Sequence, residues 1–220
     1  SGGGGGGQPR GAPAAPNTAG EQHLAPPPGP FAVFDEEEAT GPSPAPVRRT
    51  SARVLVGGIG LPWLRDLDFG TQFIRRVEGL EWPDDVVVED LSYAAHRVLH
   101  RLKELQPEKV VLVGAMPRDV DPPGTIRRYI LDLTPPDDKE VADRLSEAIG
   151  GIIDLDHTLA VVRYWKGFPA GTVVIEVEPN DRAFGLGFSP EVEAKVDEVL
   201  AMIRAEVGMV TGADLVEETS

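Results

Sequence analysis

Asp66, Asp68, Asp90, Asp154, Asp156 and His157 are the side chains best suited to chemistry in this sequence. Carboxylates and imidazoles are the oxygen and nitrogen donors that hold divalent cations, and they exchange protons during hydrolysis. Asp66 or Asp68, with Asp90 and His157, would make a carboxylate–carboxylate–imidazole site. Position recommends these residues. Each falls where a strand is expected to end or a helix to begin, and that edge of an open α/β sheet is where ligands bind. Each also has a structural role open to it. Asp68 can cap a first helix and Asp154 or Asp156 a later one. Asp66 can order its own loop through an Asx-type bond. His157 near a helix N-terminus is disfavoured as a cation, which suits a neutral ligand and equally a surface histidine. Asp90 ends a strand with no cation beside it in sequence, and is the catalytic candidate.

Other motifs are weaker. Gly58-Ile59-Gly60 follows an apolar run but continues Leu61-Pro62-Trp63, so the third glycine of a dinucleotide fingerprint is missing. No phosphate-loop motif G-x-x-x-x-G-K-S/T occurs either. His96 and His100 have the four-residue spacing that can bind metal. Arg97, Arg101 and Lys103 beside them read as a solvated helix face. Trp63, after a proline, reads as a plug for a pocket or a contact for a partner. Trp165 reads as core at a helix end.

The elements that must position these residues alternate. "RVLVGG", "DVVVED", "KVVLVGA" and "GTVVIEVEP" are short apolar β-rich runs. Between them, Phe69, Phe73, Ile74, Val77 and Leu80 recur at helical spacing, as do Leu91, Ala95, Val98, Leu99, Leu102 and Leu105, with Ser92 as the expected cap. Residues 126–132 carry Ile126, Arg128, Ile130 and Asp132 at every second position and are read as an edge strand, antiparallel to its neighbour. "PPDDKEVADRLSEAIGG" and "DLDHTLAVVRYWKG" carry helix start and stop signals, and "SPEVEAKVDEVLAMIRAEV" reads as one long helix capped by Ser189 with Pro190 at its first position. Strands alternating with helices imply parallel crossovers and a sheet covered on both faces.

Composition sets limits. Lys and Arg number 21 against 36 Asp and Glu, a net charge of -15. Such a surface repels nucleic acid and anionic membrane, and favours a protein partner. Zero cysteines exclude thiol nucleophiles, disulfides and thiolate zinc sites, and suit a cytoplasmic setting. Residues 1–30 lack the layout of a secretory signal, and no apolar run reaches membrane-spanning length. Residues 1–50 hold 10 of 25 glycines and 10 of 21 prolines, which predicts a disordered tail, with one apolar island at Phe31–Ala39. A domain over 51–208 and an acidic tail over 209–220 complete the division.

"VLVGGIGLPWLRDLDFGTQFIRRV", "VVVEDLSYAAHRVL", "KVVLVGAM" with "DPPGTIRRY", and "GTVVIEVEPNDRAFGLGFSPEVEAKVDEVL" occur in that order. Together they resemble the hydrogenase maturation peptidases, endopeptidases that trim the C-terminus of the [NiFe]-hydrogenase large subunit after nickel insertion. The resemblance runs from about Arg53 to Ile203. It implies a three-layer α/β/α domain with a five-stranded, mostly parallel mixed sheet of the phosphorylase/hydrolase-like kind. The opening motif of that family is G-x-G-N-x-L-x-x-D-D/E-x-x-G. Gly58, Gly60, Asp66 and Gly70 match it; Leu61 stands at the asparagine and Leu67 at the acidic metal-ligand position. Asp90 matches the second ligand. The third, a histidine, aligns with Gly151, six residues before His157.

Two functions follow as expectations. One is a peptidase of this type acting on a large-subunit precursor, with the substrate's nickel, or zinc as a surrogate, at Asp66, Asp68, Asp90 and His157. The other is a non-catalytic binding protein that keeps the fold and docks a hydrogenase-like or other partner. Leu67 and Gly151 favour the second, because neither side chain offers a lone pair.

Overall fold

A computed structural model describes residues 51–92 and 94–208. The expectations for residues 1–50, the Phe31–Ala39 island and residues 209–220 lie outside the described residues.

Five strands form one sheet in the order β2-β1-β3-β5-β4. They are β1 (Val54–Ile59), β2 (Val86–Asp90), β3 (Lys109–Ala115), β4 (Ile126–Ile130) and β5 (Val173–Val177). The first four in that order run parallel, and β4 closes one edge antiparallel to β5. The central runs are almost wholly Val, Ile, Leu and Gly because helices cover both of their faces. Period two sends Val54 and Val56 to one face and Leu55 to the other.

On the first face lie α1 (Phe69–Val77), α5 (Pro190–Glu193) and α6 (Val196–Glu206). Phe69, Phe73, Ile74, Val192, Val199 and Ile203 pack there against Val111, Val113 and Ile175. On the other lie α2 (Ala95–Leu105) and α4 (Leu155–Tyr164), with α3 (Asp138–Ile149) against α4. Val98, Leu102, Leu105, Leu155, Leu159 and Val162 pack on Leu55, Leu112 and Val174. Each large side chain fully buried in this way contributes about 1.5–3 kcal/mol. Among the described residues, no helix is long and apolar enough to cross a membrane.

The chain runs from β1 outward to β2, then returns past β1 to β3. The strand order therefore reverses between β1 and β3, and the edge beyond their carboxyl ends is where ligands bind in open α/β sheets. The loop after β1, residues 60–68, lies there.

Several local expectations are corrected. Ser92 does not cap α2; that helix begins at Ala95 with no side-chain cap, and Ser92 is buried below it. Leu80 lies beyond the end of α1 and is exposed, because the helix stops at Val77. The C-terminal helix is two: Ala194 and Lys195 separate α5 from α6, and Ser189 makes no cap bond. Ile126, Arg128 and Ile130 share a face of β4, so edge position is seen from the pairing and not from alternation; Ile130 is exposed. Arg101 is buried, not solvated, paired with Glu89 and Glu104. Trp165 ends α4 but is 66% exposed, outside the core.

Two glycines of the opening motif exist for contact. A Cβ on Gly70 would lie 2.3 Å from the backbone N and O of Ile59, and one on Gly58 would lie 2.3 Å from the carbonyl oxygen of Gly70. Helix α1 therefore crosses β1 backbone to backbone. Gly70→Ala should cost about 3 kcal/mol in urea unfolding, since the strand cannot yield. Gly79→Ala, with nothing within 4 Å of the added carbon, should stay within about 0.5 kcal/mol of wild type or exceed it.

Candidate functional site

Asp66 sits in a short 3-10 helix, Arg65–Asp68, that leads into α1. Its side chain is fully buried. One carboxylate oxygen accepts from the backbone N–H of Ser189 at 2.7 Å. The other accepts from the N–H of Asn180 at 2.9 Å, the N–H of Asp181 at 2.8 Å and the hydroxyl of Ser189 at 2.7 Å. The expected local loop bond is instead a clasp between segments more than 110 residues apart. The backbone closes the same seam. Gly185 N–H donates to Trp63 O at 2.7 Å, Arg65 N–H to Gly185 O at 3.2 Å and Asp66 N–H to Asp181 O at 3.1 Å. Phe188 anchors the later loop by packing its ring 5.0 Å from that of Phe69.

Around Gly60 a second cluster forms. Gly60 N–H donates to Ser92 Oγ at 3.0 Å, and Ser92 Oγ lies 2.8 Å from Thr71 Oγ1. The N–H of Ser92 donates to Asp90 Oδ1 at 3.0 Å. Asp68 occupies the N-cap position of α1 but makes no capping bond. It turns toward Gly60, where an added Cβ would come within 2.8 Å of its Oδ1. Asp68 is 2% exposed, and that Oδ1 is buried without a hydrogen-bond partner. Burial pushes the Asp68 carboxyl above the usual carboxylate range, and the nearby Asp90 charge adds to the rise; Thr71, the Trp63 N–H and Arg75 oppose it. Asp68 and Asp90 thus lie at the ends of the opening loop and β2. Asp90 is half-buried and also lines a small cleft of about 70 Å³ with His100 and Arg97.

His157 does not join this pair by any hydrogen bond. It is buried in the first turn of α4, and its Nδ1 lies 2.9 Å from the carbonyl oxygen of Arg144 on α3. A carbonyl only accepts, so Nδ1 carries the proton. Asp154 caps α4 by accepting from His157 N–H at 2.8 Å, as expected. Asp156 is held by Arg118 through two bonds, 2.7 and 2.9 Å. His96 and His100 are exposed on α2.

One large constellation was not expected from the sequence. Glu176 and Glu178 on and just beyond β5 are 1% and 2% exposed. Arg118 grips Glu176 with two bonds, 2.9 and 2.7 Å, while bonding Asp156. Glu178 accepts from the backbone N–H groups of Arg118 and Asp119 and from Arg127 at 2.8 Å. Tyr129 donates to Glu176 at 3.2 Å. Charge-assisted pairs at this burial hold the β3–β4 loop, β5 and the start of α4 together. Burial and the Glu176 charge drive the Tyr129 phenol far above its ordinary range. The available signal was "IEVEP": two glutamates inside an otherwise apolar buried strand require guanidinium partners.

The donor set bears on a resident metal. Leu67 and Gly151 supply no donor, and both oxygens of Asp66 are taken by four N–H and O–H groups. Among the described residues no group of three or more His, Asp or Glu side chains could hold an ion. Asp68 and Asp90 are two carboxylates, short of a full ligand set.

The fold defines a class: a three-layer α/β/α domain with a 2-1-3-5-4 mixed sheet and a carboxylate-bearing loop after its first strand. No family model matches the chain, and no curated protein matches it. Solved structures do. The hydrogenase maturating endopeptidase HybD from E. coli is 23% identical with a TM-score of 0.55, over 70% of this chain and 91% of that one. The hydrogenase 2 maturation peptidase from Thaumarchaeota archaeon SCGC_AB-539-E09 is 22% identical with a TM-score of 0.51, over 72% and 99%. The chain has the fold of the hydrogenase maturation endopeptidases.

Asp66 is an acceptor surrounded by donors. Asp66→Asn should therefore be no milder than Asp66→Ala, because its amide N–H groups would face other N–H groups. Both should cost about 3–5 kcal/mol in chemical unfolding. For Asp68 the sign runs the other way. Its folded form binds a proton more tightly than the unfolded chain, so its ionisation lowers stability as pH rises past the ordinary carboxylate value. Asp68→Asn should thus match or exceed wild type in Tm at pH 8, and the difference should shift toward wild type as pH falls to 4. Melting curves of both proteins across that range check it.

Proposed function

We propose that this chain is a hydrogenase maturation peptidase-like protein that acts on the C-terminal segment of a [NiFe]-hydrogenase-type large-subunit precursor. The observation that supports this reading most is the fold shared with those endopeptidases, with Asp68 in the loop after its first strand and Asp90 at the end of its second. Asp90 is the reacting carboxylate. It is held by the Ser92 N–H and is only half-buried. In hydrolysis it takes a proton from water; the water oxygen bonds to the scissile carbonyl carbon, the C–N bond breaks, and the proton passes to the leaving amine. Nickel belongs to the substrate in this reading, and zinc is its surrogate in vitro. The setting is the cytoplasm, which a chain without cysteines suits.

A second reading has its own observation. Leu67 and Gly151 offer no donors and Asp66 is saturated, which favours a binding protein that docks the same kind of partner without cutting it.

Mass spectrometry of a purified nickel-loaded precursor separates the two. The wild-type chain should release the C-terminal peptide, and Asp90→Asn, whose amide oxygen can still accept from the Ser92 N–H, should slow release by about 100-fold or more with Tm near wild type. Equal cleavage by the variant removes Asp90 from the reaction. Precursor binding without cleavage by the wild type favours the second reading.

A further inference from the structure

Strand β2 is an edge of the sheet and bonds only to β1. Val54 N–H donates to Asp85 O at 3.1 Å, and Leu91 N–H to Gly58 O at 2.8 Å. Backbone groups alternate in direction along a strand, so Val87 and Glu89 also face β1. Val88 and Asp90 turn theirs outward, and among the described residues no bond reaches those groups. Such a row is a template for one more extended backbone.

What borders this edge is cationic. Helix α2 runs back along β2, from beyond Asp90 to Leu105, whose carbonyl accepts from Ala52 N–H at 3.4 Å before the start of β1. Its exposed side carries His96, Arg97, His100 and Lys103. Positions 96, 100 and 103 share one face of the helix. Arg97 lies at the flank of that face and, with His100, walls the cleft of about 70 Å³ beside Glu89 and Asp90. Glu89 and Glu104, acids of the same cleft, both pair with buried Arg101. Asp90, its third acid, accepts from the Ser92 N–H. Among the described residues, Arg97 and Lys103 enter no ion pair, a local reversal in a chain that carries -15. The other edge strand lacks this feature: on β4, Arg127 is held by Asp121 and Glu178, and Arg128 by Glu206.

We infer that the outer edge of β2, with the cationic side of α2, is a docking site for an extended acidic segment of a partner protein, added to the sheet as a sixth strand. Side chains alternate between faces along such a strand. Carboxylates at every second position therefore meet Arg97, His100 and Lys103, while the backbone bonds to Val88 and Asp90. This holds whether or not the chain cleaves what it binds.

The test uses the full chain and a fluorescein-labelled, amidated hexapeptide, Glu-Thr-Glu-Thr-Glu-Thr, followed by anisotropy at low salt. Matched probes are Lys-Thr-Lys-Thr-Lys-Thr and the first peptide N-methylated either at its glutamates or at its threonines. The first peptide should bind. The lysine peptide should bind more weakly by about tenfold or more through lost charge pairing, and so should one of the two methylated forms through lost strand bonds. Arg97→Gln with Lys103→Gln should weaken the first peptide by about tenfold or more at unchanged Tm, since both side chains are exposed. Saturating peptide should slow amide exchange at Val88 and Asp90 and leave Arg128 on β4 unchanged. Any of five results would overturn the inference: no binding of the first peptide at millimolar concentration, equal binding of the lysine peptide, unchanged binding by the double variant, slowed exchange at Arg128 in place of Val88 and Asp90, or undiminished binding of both methylated forms, which would reduce recognition to charge alone.

Discussion

The buried carboxylate of Asp66 is the interaction on which this edge of the molecule depends. It accepts from three backbone N–H groups and one hydroxyl, all from residues 180–189. A buried charge is tolerable only when fully hydrogen-bonded, and here four donors meet one anion. The consequence is geometric. Two loops far apart in sequence become one rigid rim, and everything placed on that rim inherits its position: Trp63 and Phe184 outside, Asp68 and Gly60 inside.

Close packing supplies the second constraint. Gly58, Gly60 and Gly70 let α1 approach β1 without side chains between them. That approach brings Asp68 and Thr71 to the end of β1 and toward Ser92 beyond β2. The glycines of the opening motif therefore position carboxylates and do not cradle a phosphate. The Arg118–Glu176–Asp156 network does for the β3–β4 loop, β5 and the start of α4 what Asp66 does for the opening loop. Its guanidiniums neutralise carboxylates that burial would otherwise leave at high cost.

The residues nominated for a metal centre take separate places in the structure. Asp66 is consumed by structure and Leu67 is aliphatic, while the His157 Nδ1–H bond to the Arg144 carbonyl fixes that ring on α4 and leaves its Nε2 unprotonated. Near the opening turn stand two carboxylates, Asp68, buried with an unpartnered oxygen, and Asp90, half-buried at the end of β2.

Much of the fold was legible in the sequence. Runs of β-branched residues, helical spacing between them and caps such as Asp137 and Asp154 are local signals, and local sterics and hydrogen bonds decide them. A parallel sheet covered on both faces follows from that alternation, and the five-stranded mixed sheet in three layers is what the family resemblance implied. Other features depended on partners distant in sequence. Ser92 and Ser189 read as caps, yet Gly60 and Asp66 claim them, because a buried donor or acceptor bonds whatever the fold brings near. Glu176 and Glu178 read only as charges on a strand until Arg118 and Arg127 arrived from other elements. Sequence spacing set which residues could do chemistry; three-dimensional proximity decided that Asp68 turns toward Gly60, that Asp66 is a clasp, and that Trp63 points to solvent.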